Sequence, residues 1–159
     1  MRRIKKIVKA LLVRCLVAPE NTVIRGGLVR GRLLPRSIAE RNLSMVFGNY
    51  ERQIQNLLRE QSRECKVAYD VGAHVGFLSL VLAELMPRNG HVHAFEPSSR
   101  EAGMLDELIR CNSLQGRLTL HRCAVCDEVG DVTFHANDAS FTGILGKATE
   151  RRQIGRAHV

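Results

Sequence analysis

Residues 67–76 read VAYDVGAHVG, and residues 77–83 continue as FLSLVLA. The first segment is an apolar run that ends at Asp70, and Gly72 and Gly76 then bracket a tight turn. The apolar residues after Gly76 recur at a helical rather than an alternating spacing. This order predicts a strand, a glycine turn and a helix, the first unit of a doubly wound α/β sheet. Ligands of such sheets lie at the carboxyl ends of the strands, so we expect this turn to hold one.

The spacing within the turn bears on the type of ligand. A dinucleotide-binding turn aligned on Gly72 needs glycines at positions 74 and 77, where this chain has His74 and Phe77. A histidine side chain obstructs the close approach of a pyrophosphate, which disfavours an NAD dehydrogenase. S-adenosylmethionine has no phosphate, and its amino-acid end is cationic, so the Asp70 carboxylate is a suitable partner for that end. Gly72 lets the backbone pass close to the ligand. On this stretch alone, a turn that only packs a helix on a strand explains the glycines equally well.

A second acid follows at an informative distance. Residues 90–97 read GHVHAFEP, which predicts a turn, a strand and a terminal acid, Glu96, 26 positions after Asp70. A βαβ unit presents an acid to the ribose hydroxyls at an offset of roughly 20 residues. The carboxylate can accept from both hydroxyls, and Pro97 then releases the chain into a loop. A solvated acid at the end of a strand is the less favoured interpretation.

These motifs together resemble a known family. DVGAHVGFLSL (70–80) followed by HVHAFEPSS (91–99) is similar to the first two motifs of the FkbM family of S-adenosylmethionine-dependent methyltransferases. VIRGGLVRG (23–31), GNYE (48–51), Asn112 and AVCD (124–127) continue the resemblance. It implies a Rossmann-like class I methyltransferase sheet with flanking helices and S-adenosyl-L-methionine as cofactor. It also implies O-methylation of a hydroxyl on a sugar or natural-product acceptor.

The spacing and the resemblance give a set of expected cofactor contacts. They are Asp70, Gly72, Ala73, His74, Gly76, Glu96, Pro97, Asn112 and Ala124. Ala124 is included because the end of the third parallel strand borders the adenine in this fold. His74 is the one histidine in the predicted site, but no residue is assigned as catalytic.

The later part of the family pattern does not occur here. An aspartate followed closely by Glu-Gly, which ends the fourth strand in the family, is missing after Phe141. We therefore expect a sheet truncated after the third parallel strand and a hairpin. Acceptor-binding groups usually come from the missing half, so a competing hypothesis is a non-catalytic fragment that binds a nucleoside, a membrane or a partner.

The net charge of +8 is unevenly distributed along the 159 residues. Residues 1–66 hold fifteen Lys and Arg against five Asp and Glu, whereas residues 67–150 hold six against eleven. One helical face of residues 1–17 carries Ile4, Ile7, Val8, Leu11, Leu12, Cys15 and Leu16, with basic residues elsewhere. Lys9 and Arg14 interrupt the apolar run, which disfavours a secretory signal, and the segment is too short to span a bilayer. Contact with an anionic membrane surface and packing on the domain or on a partner are equally favoured.

Four segments are predicted in chain order. They are a basic amphipathic helix (1–20), a lead-in hairpin and helix (21–66), the N-terminal part of the methyltransferase domain (67–150) and a non-native tail (151–159). The hairpin is expected to turn at Gly26-Gly27, and Asn49 to cap a helix that runs to Glu60 with Ile54, Leu57 and Leu58 on its apolar side. Later predictions are a helix over 100–111 and strands over 118–125 and 132–135. The tail is suspected because ATCGGAAGAGCACACGTC, which resembles a sequencing-library adapter, encodes residues 154–159.

The remaining composition disfavours other classes. The five cysteines include one close pair, Cys123 and Cys126, on a predicted strand, which is unlike a redox or zinc motif. No metal is therefore expected, and reduced thiols fit a cytoplasmic protein that can also be membrane-peripheral. Nucleic-acid binding is not expected, because aromatic residues make up only 4% of the chain. The expected partner is a small-molecule or glycan acceptor.

Overall fold

The computed structural model describes residues 2–127, 131–136, 143–146 and 156–158. Six helices are assigned there: α1 Arg2–Leu16, α2 Arg36–Ala39, α3 Leu43–Val46, α4 Arg52–Gln61, α5 Phe77–Leu85 and α6 Ser99–Cys111. Eight strands accompany them: β1 Asn21–Val23, β2 Leu33–Pro35, β3 Val67–Val71, β4 His91–Phe95, β5 Leu118–His121, β6 Asp131–Ala136, β7 Gly143–Gly146 and β8 Arg156–His158.

The centre of the structure is a parallel sheet in the order β3-β4-β5. Val67 pairs with His91 and Val71 with Phe95, and β4 and β5 pair from Val92–Leu118 onward. Helices α5 and α6 form the two crossovers. Parallel crossovers are right-handed, and both advance in the same direction, so the two helices cover the same face of the sheet. The predicted Rossmann-like α/β fold is confirmed.

The two faces of this sheet differ in burial. Val92 and Ala94 lie under the helices and are fully or almost fully buried. The opposite face presents Val67, Tyr69 and Val71, which are exposed. Aromatic rings cover neighbouring positions on that exposed face, where His93 Nδ1 lies 3.0 Å from His121 Nε2, Tyr69 stacks on His93 and Phe95 stacks on His121.

The lead-in hairpin exists, but its turn is not where the sequence predicted it. β1 and β2 pair antiparallel, and residues 24–32 form the connection instead of a two-residue Gly26-Gly27 turn. The glycines allow the backbone of this loop to pass close to the backbone at Gly48. A Cβ on Gly27 would lie 2.1 Å from the Gly48 carbonyl oxygen, and one on Gly48 would lie 1.9 Å from that of Gly26. The loop thereby packs its buried Ile24 and Val29 into the core.

The lead-in helices also differ from the prediction in detail. Two short helices, α2 and α3, lie between the hairpin and α4 and were not predicted individually. α4 begins at Arg52 after Glu51, whose φ of 47° is left-handed, and Asn49 does not cap it. On the predicted apolar side, Ile54 and Leu57 are exposed. The buried residue of α4 is Gln55, whose amide donates to the carbonyls of Gly48 and Tyr50.

The third parallel strand is shorter than predicted. β5 ends at His121 instead of continuing to Val125. Its partner β4 ends at Phe95, and the last backbone contact is the Glu96 N–H donating to the His121 carbonyl. Beyond that point the Glu96-Pro97 segment leaves the sheet, so residues 122–125 have no strand to pair with on that side.

A second sheet, β7-β6-β8, is antiparallel. β6 contains the predicted strand 132–135, but it pairs with β7 and β8, two strands that were not predicted, and not with the third parallel strand. Residues 128–130 and 151–155 lie outside the described residues. Residues 156–158 form β8 and pair with β6, and the proposed non-native origin of the tail stays a prediction.

The first helix, α1, points its apolar stripe away from the domain. Ile4, Ile7, Val8, Leu11 and Leu12 are 44–66% exposed. Val13 and Leu16 are half-buried, and Lys9 Nζ donates to the Arg41 carbonyl at 3.2 Å. Of the alternatives that the sequence left open, packing of these five residues on the domain is therefore not observed. None of the described helices has the length and apolar character needed to cross a bilayer.

Candidate cofactor site

Asp70 lies near the carboxyl end of β3 and is held by the helix that follows. The hydroxyl of Ser79, fully buried in α5, donates to Asp70 Oδ2 at 2.5 Å. Burial raises the pKa of the Asp70 carboxyl, the Ser79 hydrogen bond lowers it, and the nearby negative Glu51 raises it. A carboxylate fixed in this way has lost much of its water and gains most from a cationic partner.

Gly72, two residues later, provides open space beside this carboxylate. Its φ is +78°, a conformation that side chains rarely adopt, and a Cβ built there would meet nothing within 4 Å. The space beside the Gly72 backbone is therefore not filled by other protein atoms. A ligand can lie against the backbone at this point.

Glu96, immediately after β4, joins the glycine turn to the next loop. It is only 6% exposed, so it is not a solvated strand-end acid. The backbone N–H of His74 donates to Oε2 at 2.8 Å, and that of Ser98 donates to Oε1 at 2.8 Å. Burial raises the pKa of Glu96, these two hydrogen bonds lower it, and Glu101 and Asp70 raise it. A carboxylate has about four acceptor positions, so two remain for other donors.

The first three backbone donors of the turn, at Gly72, Ala73 and His74, are already used. The N–H groups of Gly72 and Ala73 both donate to the Phe95 carbonyl, at 2.9 and 3.0 Å. The His74 N–H is bonded to Glu96 as described above. A pyrophosphate is bound by free backbone N–H groups at such a turn. The geometry therefore agrees with the sequence argument against a dinucleotide.

Asp70 and Glu96 lie on the same face of the sheet. Asp70 pairs with Ala94 in register, and side chains two positions apart on a strand share a face. Glu96 follows Ala94 by two positions, and the charge of Asp70 raises the pKa of the Glu96 carboxyl. The two predicted acids therefore flank Gly72 at one edge of the sheet, with a negative field between them.

A small cavity of about 90 Å³ opens beside Asp70. The lead-in contributes Met45, Tyr50 and Glu51, and the turn and α5 contribute Asp70, Gly72, Ala73, His74, Val75, Phe77 and Leu78. Pockets for whole ligands are typically about 300–1,000 Å³, so this cavity fits only one end of a cofactor. Its acidic lining, Glu51 and Asp70, suits a positively charged end.

Sequence reasoning missed three residues of this cavity and its surroundings. Tyr50 and Glu51 were noted only as part of the family resemblance at 48–51, but both line the cavity. Burial and the adjacent Glu51 raise the pKa of Tyr50 to about 12. Glu51 holds a left-handed φ of 47°, which side chains adopt at a cost and which clusters at functional sites. The third residue is Ser79, whose signal was a single hydroxyl within the apolar run FLSLVLA.

His74 lies in the turn with a left-handed φ of 53°. It lines the Asp70 cavity and a neighbouring cavity of about 100 Å³ formed with Ile38, Arg41, Asn42, Met45, Tyr50 and Val75. Burial lowers the pKa of His74, Glu101 raises it and Arg41 lowers it. The imidazole is therefore neutral at physiological pH.

Two of the predicted contacts have packing roles in the structure. Gly76 is buried against α6, where a Cβ would lie 2.1 Å from Leu105 Cδ1. Asn112 ends α6 at the opposite edge of the sheet and bonds the Leu33 N–H and carbonyl, each at 2.8 Å. A helix of thirteen residues is about 20 Å long, so the structure does not bring Asn112 to this cleft.

Pro97 and Ala124 remain at the edge where the acids lie. Pro97 directly follows Glu96 and is half-buried. Ala124 is buried and follows the end of β5 by three residues. Both positions stay predicted cofactor contacts.

The described residues contain no group of three His, Cys, Asp or Glu side chains placed to hold a metal ion. Burial raises the pKa of the Cys123 thiol, which favours the unreactive protonated form.

The parallel sheet and the position of its acids define a Rossmann-like methyltransferase fold. The chain belongs to the FkbM methyltransferase family, because the family described as "Methyltransferase FkbM domain" matches residues 70–158. No curated protein matches the sequence.

Solved structures are similar to this chain at low sequence identity. P. horikoshii TYW2 in complex with MeSAdo is 19% identical over 72% of this chain and 40% of that one, with a TM-score of 0.51. Precorrin-6y C5,15-methyltransferase from Geobacter metallireducens GS-15 is 19% identical over 45% of this chain and 38% of that one, with a TM-score of 0.40. The chain thus spans about two fifths of the length of these structures.

Proposed function

We propose that this chain carries the cofactor-binding part of an S-adenosylmethionine-dependent methyltransferase. The observation that carries the proposal is the placement of two acids, the half-buried Asp70 and the buried Glu96, on one face of the sheet at either side of the open Gly72. Methyltransferase family membership supports it, and so does the MeSAdo in the structure of P. horikoshii TYW2.

The amino-acid end of the cofactor would lie in the cavity beside Asp70. Its ammonium carries a positive charge, and Asp70 and Glu51 supply the two negative charges of that cavity. Because burial raises the pKa of Asp70, an adjacent cation stabilises the ionised form that burial disfavours. Gly72 leaves the space through which the cofactor passes from this cavity toward β4.

The ribose would lie over Glu96. The two backbone donors on Glu96 fix the orientation of its carboxylate, and its remaining acceptor positions are available to vicinal hydroxyls. Hydrogen bonds to a charged acceptor are stronger than neutral ones, which favours an acid at this position. The backbone near Ala124 would border the adenine.

The cofactor supplies an electrophilic methyl group on a sulfonium, and the protein supplies binding and orientation. We propose a hydroxyl oxygen of a sugar or natural product as the acceptor, on the strength of the family resemblance. The neutral imidazole of His74 lies between the two neighbouring cavities and is one of the groups placed to meet an acceptor there.

Calorimetry with S-adenosylhomocysteine tests cofactor binding on the full chain. We expect saturable one-to-one binding of S-adenosylhomocysteine and no binding of NAD, because the turn donors are occupied. Binding of NAD, or of neither compound, would contradict the proposal.

A second candidate function is cofactor binding without methyl transfer. It is favoured by the short alignment with P. horikoshii TYW2, which covers 40% of that chain. A transfer assay with radiolabelled S-adenosylmethionine and hydroxyl acceptors separates the two. Labelled acceptor supports the transferase, whereas binding with no labelled product supports the binding module.

A further inference from the structure

We propose that α1 docks this protein on an anionic lipid bilayer, with its apolar stripe inserted between the headgroups. Nothing in this inference depends on methyl transfer or on the cofactor.

The first observation is the direction of the stripe. Ile4, Ile7, Val8, Leu11 and Leu12 recur at helical spacing, and each is at least 44% exposed. The side of α1 that meets the domain is different. Val13 and Leu16 are half-buried, and Lys9 donates to the Arg41 carbonyl. The apolar stripe of α1 is therefore exposed to water and not covered by the domain.

The second observation is how the helix is attached. Val17 packs against the hydrophobic core, and the Ala18 N–H donates to Thr22 Oγ1 at 2.9 Å. The chain leaving α1 is thus tied to β1, which holds the end of the helix near the domain. A helix attached in this way can lie flat on a surface while the domain stays above it.

The third observation is charge. Residues 1–17 contain six Lys and Arg and no Asp or Glu. An amphipathic helix with a basic polar face lies in the interface of an anionic membrane, where apolar burial and electrostatic attraction add. The 15 residues of α1 extend for about 22 Å, enough to lie along the surface but not to cross the hydrocarbon core of about 30 Å.

Other occupants fit these features less well. Two copies of α1 would place twelve positive charges beside one another, which opposes self-association through this stripe. Nucleic acid would attract the charges but leave the five apolar side chains in water, and residues 1–17 contain no aromatic ring to stack on bases.

Vesicle flotation on a density gradient tests the proposal with the full chain. We expect the protein to float with vesicles that contain phosphatidylglycerol and to stay at the bottom with pure phosphatidylcholine. Raising the salt concentration should release much of the bound protein, because exposed charges are screened. Failure to float with anionic vesicles at low salt would overturn the proposal, as would equal flotation with neutral ones.

Matched variants distinguish binding through α1 from non-specific adsorption of the protein to vesicles. Leu11 and Leu57 are leucines of similar exposure, 58% and 54%, on different helices. Leu11→Asp should lower the partition coefficient between vesicles and water at least about tenfold, since it removes an apolar side chain that would be buried in the bilayer. Leu57→Asp should leave the partition coefficient unchanged. Equal effects of the two changes would contradict docking through α1.

The charges have a matched pair as well. Arg14 and Arg59 each lie in the last turn of an exposed helix. Arg14→Gln should lower partitioning about fivefold and Arg59→Gln should not change it. If the protein instead bound RNA with higher affinity than anionic vesicles, and Leu11→Asp left that binding intact, the basic segment would be a nucleic-acid surface and the lipid proposal would be wrong.

Discussion

At the scale of single residues, Glu96 has two tasks in the proposed site. Its oxygens hold the His74 and Ser98 backbones, and the same carboxylate would accept from the ribose. A glutamine has one acceptor oxygen and one amide donor, so it can satisfy only one of the two backbone N–H groups. The consequences of that change are therefore specific.

Glu96→Gln should weaken S-adenosylhomocysteine binding about tenfold to a hundredfold, the range expected when a hydrogen bond to a charged group is lost. Calorimetry measures the change. Glu64→Gln, an exposed acid after α4, is the control and should bind like the original protein. Unchanged affinity in Glu96→Gln would show that this acid does not contact the ligand.

Proton uptake by Asp70 and Glu96 gives a second prediction. Burial raises the pKa of both carboxyls, so each binds a proton at higher pH than an ordinary acid. Protonation removes the charge that an ammonium needs, so cofactor affinity should fall as the pH falls through these raised pKa values. Calorimetry across acidic pH should show a shallower fall in Asp70→Asn, while the exposed Asp127→Asn should behave like the original.

The same shift has the opposite effect on folding. A raised pKa means that the folded state binds the proton more tightly than the unfolded state, so these groups lower the free energy of unfolding as the pH rises from their ordinary pKa through the raised one. Denaturation of Asp70→Asn should show a weaker pH dependence over that window. A steeper dependence would contradict the direction of the shift.

Asp70, Gly72 and Glu96 were predictable because strand ends and turn glycines can be read from local sequence. Ser79 and Tyr50 were not, since their proximity to Asp70 arises when α5 and the lead-in pack against the sheet. Gly76 and Asn112 resemble the family equally well, but resemblance does not separate contacts with a ligand from contacts within the core.

At the scale of elements, the two crossover helices are held together at Gly76. Its φ of +82° starts α5, and its missing side chain lets Leu105 and Leu108 of α6 approach. The two glycines of the turn thus have different structural roles, although the sequence shows them as one motif. Gly72 faces open space, and Gly76 faces a neighbouring helix.

Gly76→Ala should lower the free energy of unfolding by about 2–4 kcal/mol, because strain at positive φ adds to a clash with Leu105. Gly103→Ala in α6 is the matched control. A Cβ there meets nothing within 4 Å, so this change should stabilise the helix by about 0.5–1 kcal/mol. Chemical denaturation measures both, and a neutral Gly76→Ala would refute the close approach.

Element types were more predictable than their limits. The alternation of strands and helices after residue 67 followed from periodicity, and β3, α5, β4 and α6 lie where it indicated. The Gly26-Gly27 turn was wrong because these glycines approach Gly48, a contact between segments about twenty residues apart. β5 is shorter than predicted because its neighbour β4 ends, and the sequence of β5 alone does not show where its neighbour ends.

At the scale of the whole molecule, Asn112 connects the lead-in to the parallel sheet. Besides its two bonds to Leu33, its amide donates to the Leu108 carbonyl at 2.9 Å, and the residue is buried. Asn112 thus joins the hairpin to α6, and the Cys111 thiol adds a longer contact to the Leu33 carbonyl.

Asn112→Ala should lower the free energy of unfolding by about 2–4 kcal/mol, since it removes both hydrogen bonds to the half-buried Leu33 backbone and a third to the Leu108 carbonyl. Its effect on S-adenosylhomocysteine affinity should be under twofold, because the residue lies far from the acids. Denaturation and calorimetry test the two parts, with the exposed Asn56→Ala as control. A large loss of affinity at unchanged stability would restore Asn112 as a cofactor contact.

Charge distribution and fold class were visible from the sequence at this scale. The basic N-terminal segment and the acidic region 67–150 correspond to α1 and to the sheet with its site. The orientation of α1 was not visible, because an amphipathic pattern shows that a stripe exists but not what it faces.

The central claim is that one adenosyl ligand spans Asp70 and Glu96 across Gly72. A crystal structure of the chain with S-adenosylhomocysteine tests it most directly. We expect the ligand ammonium within hydrogen-bonding distance of the Asp70 carboxylate or one bridging water, and both ribose hydroxyls on Glu96. A ligand bound elsewhere on the sheet, or with its ribose away from Glu96, would contradict the account.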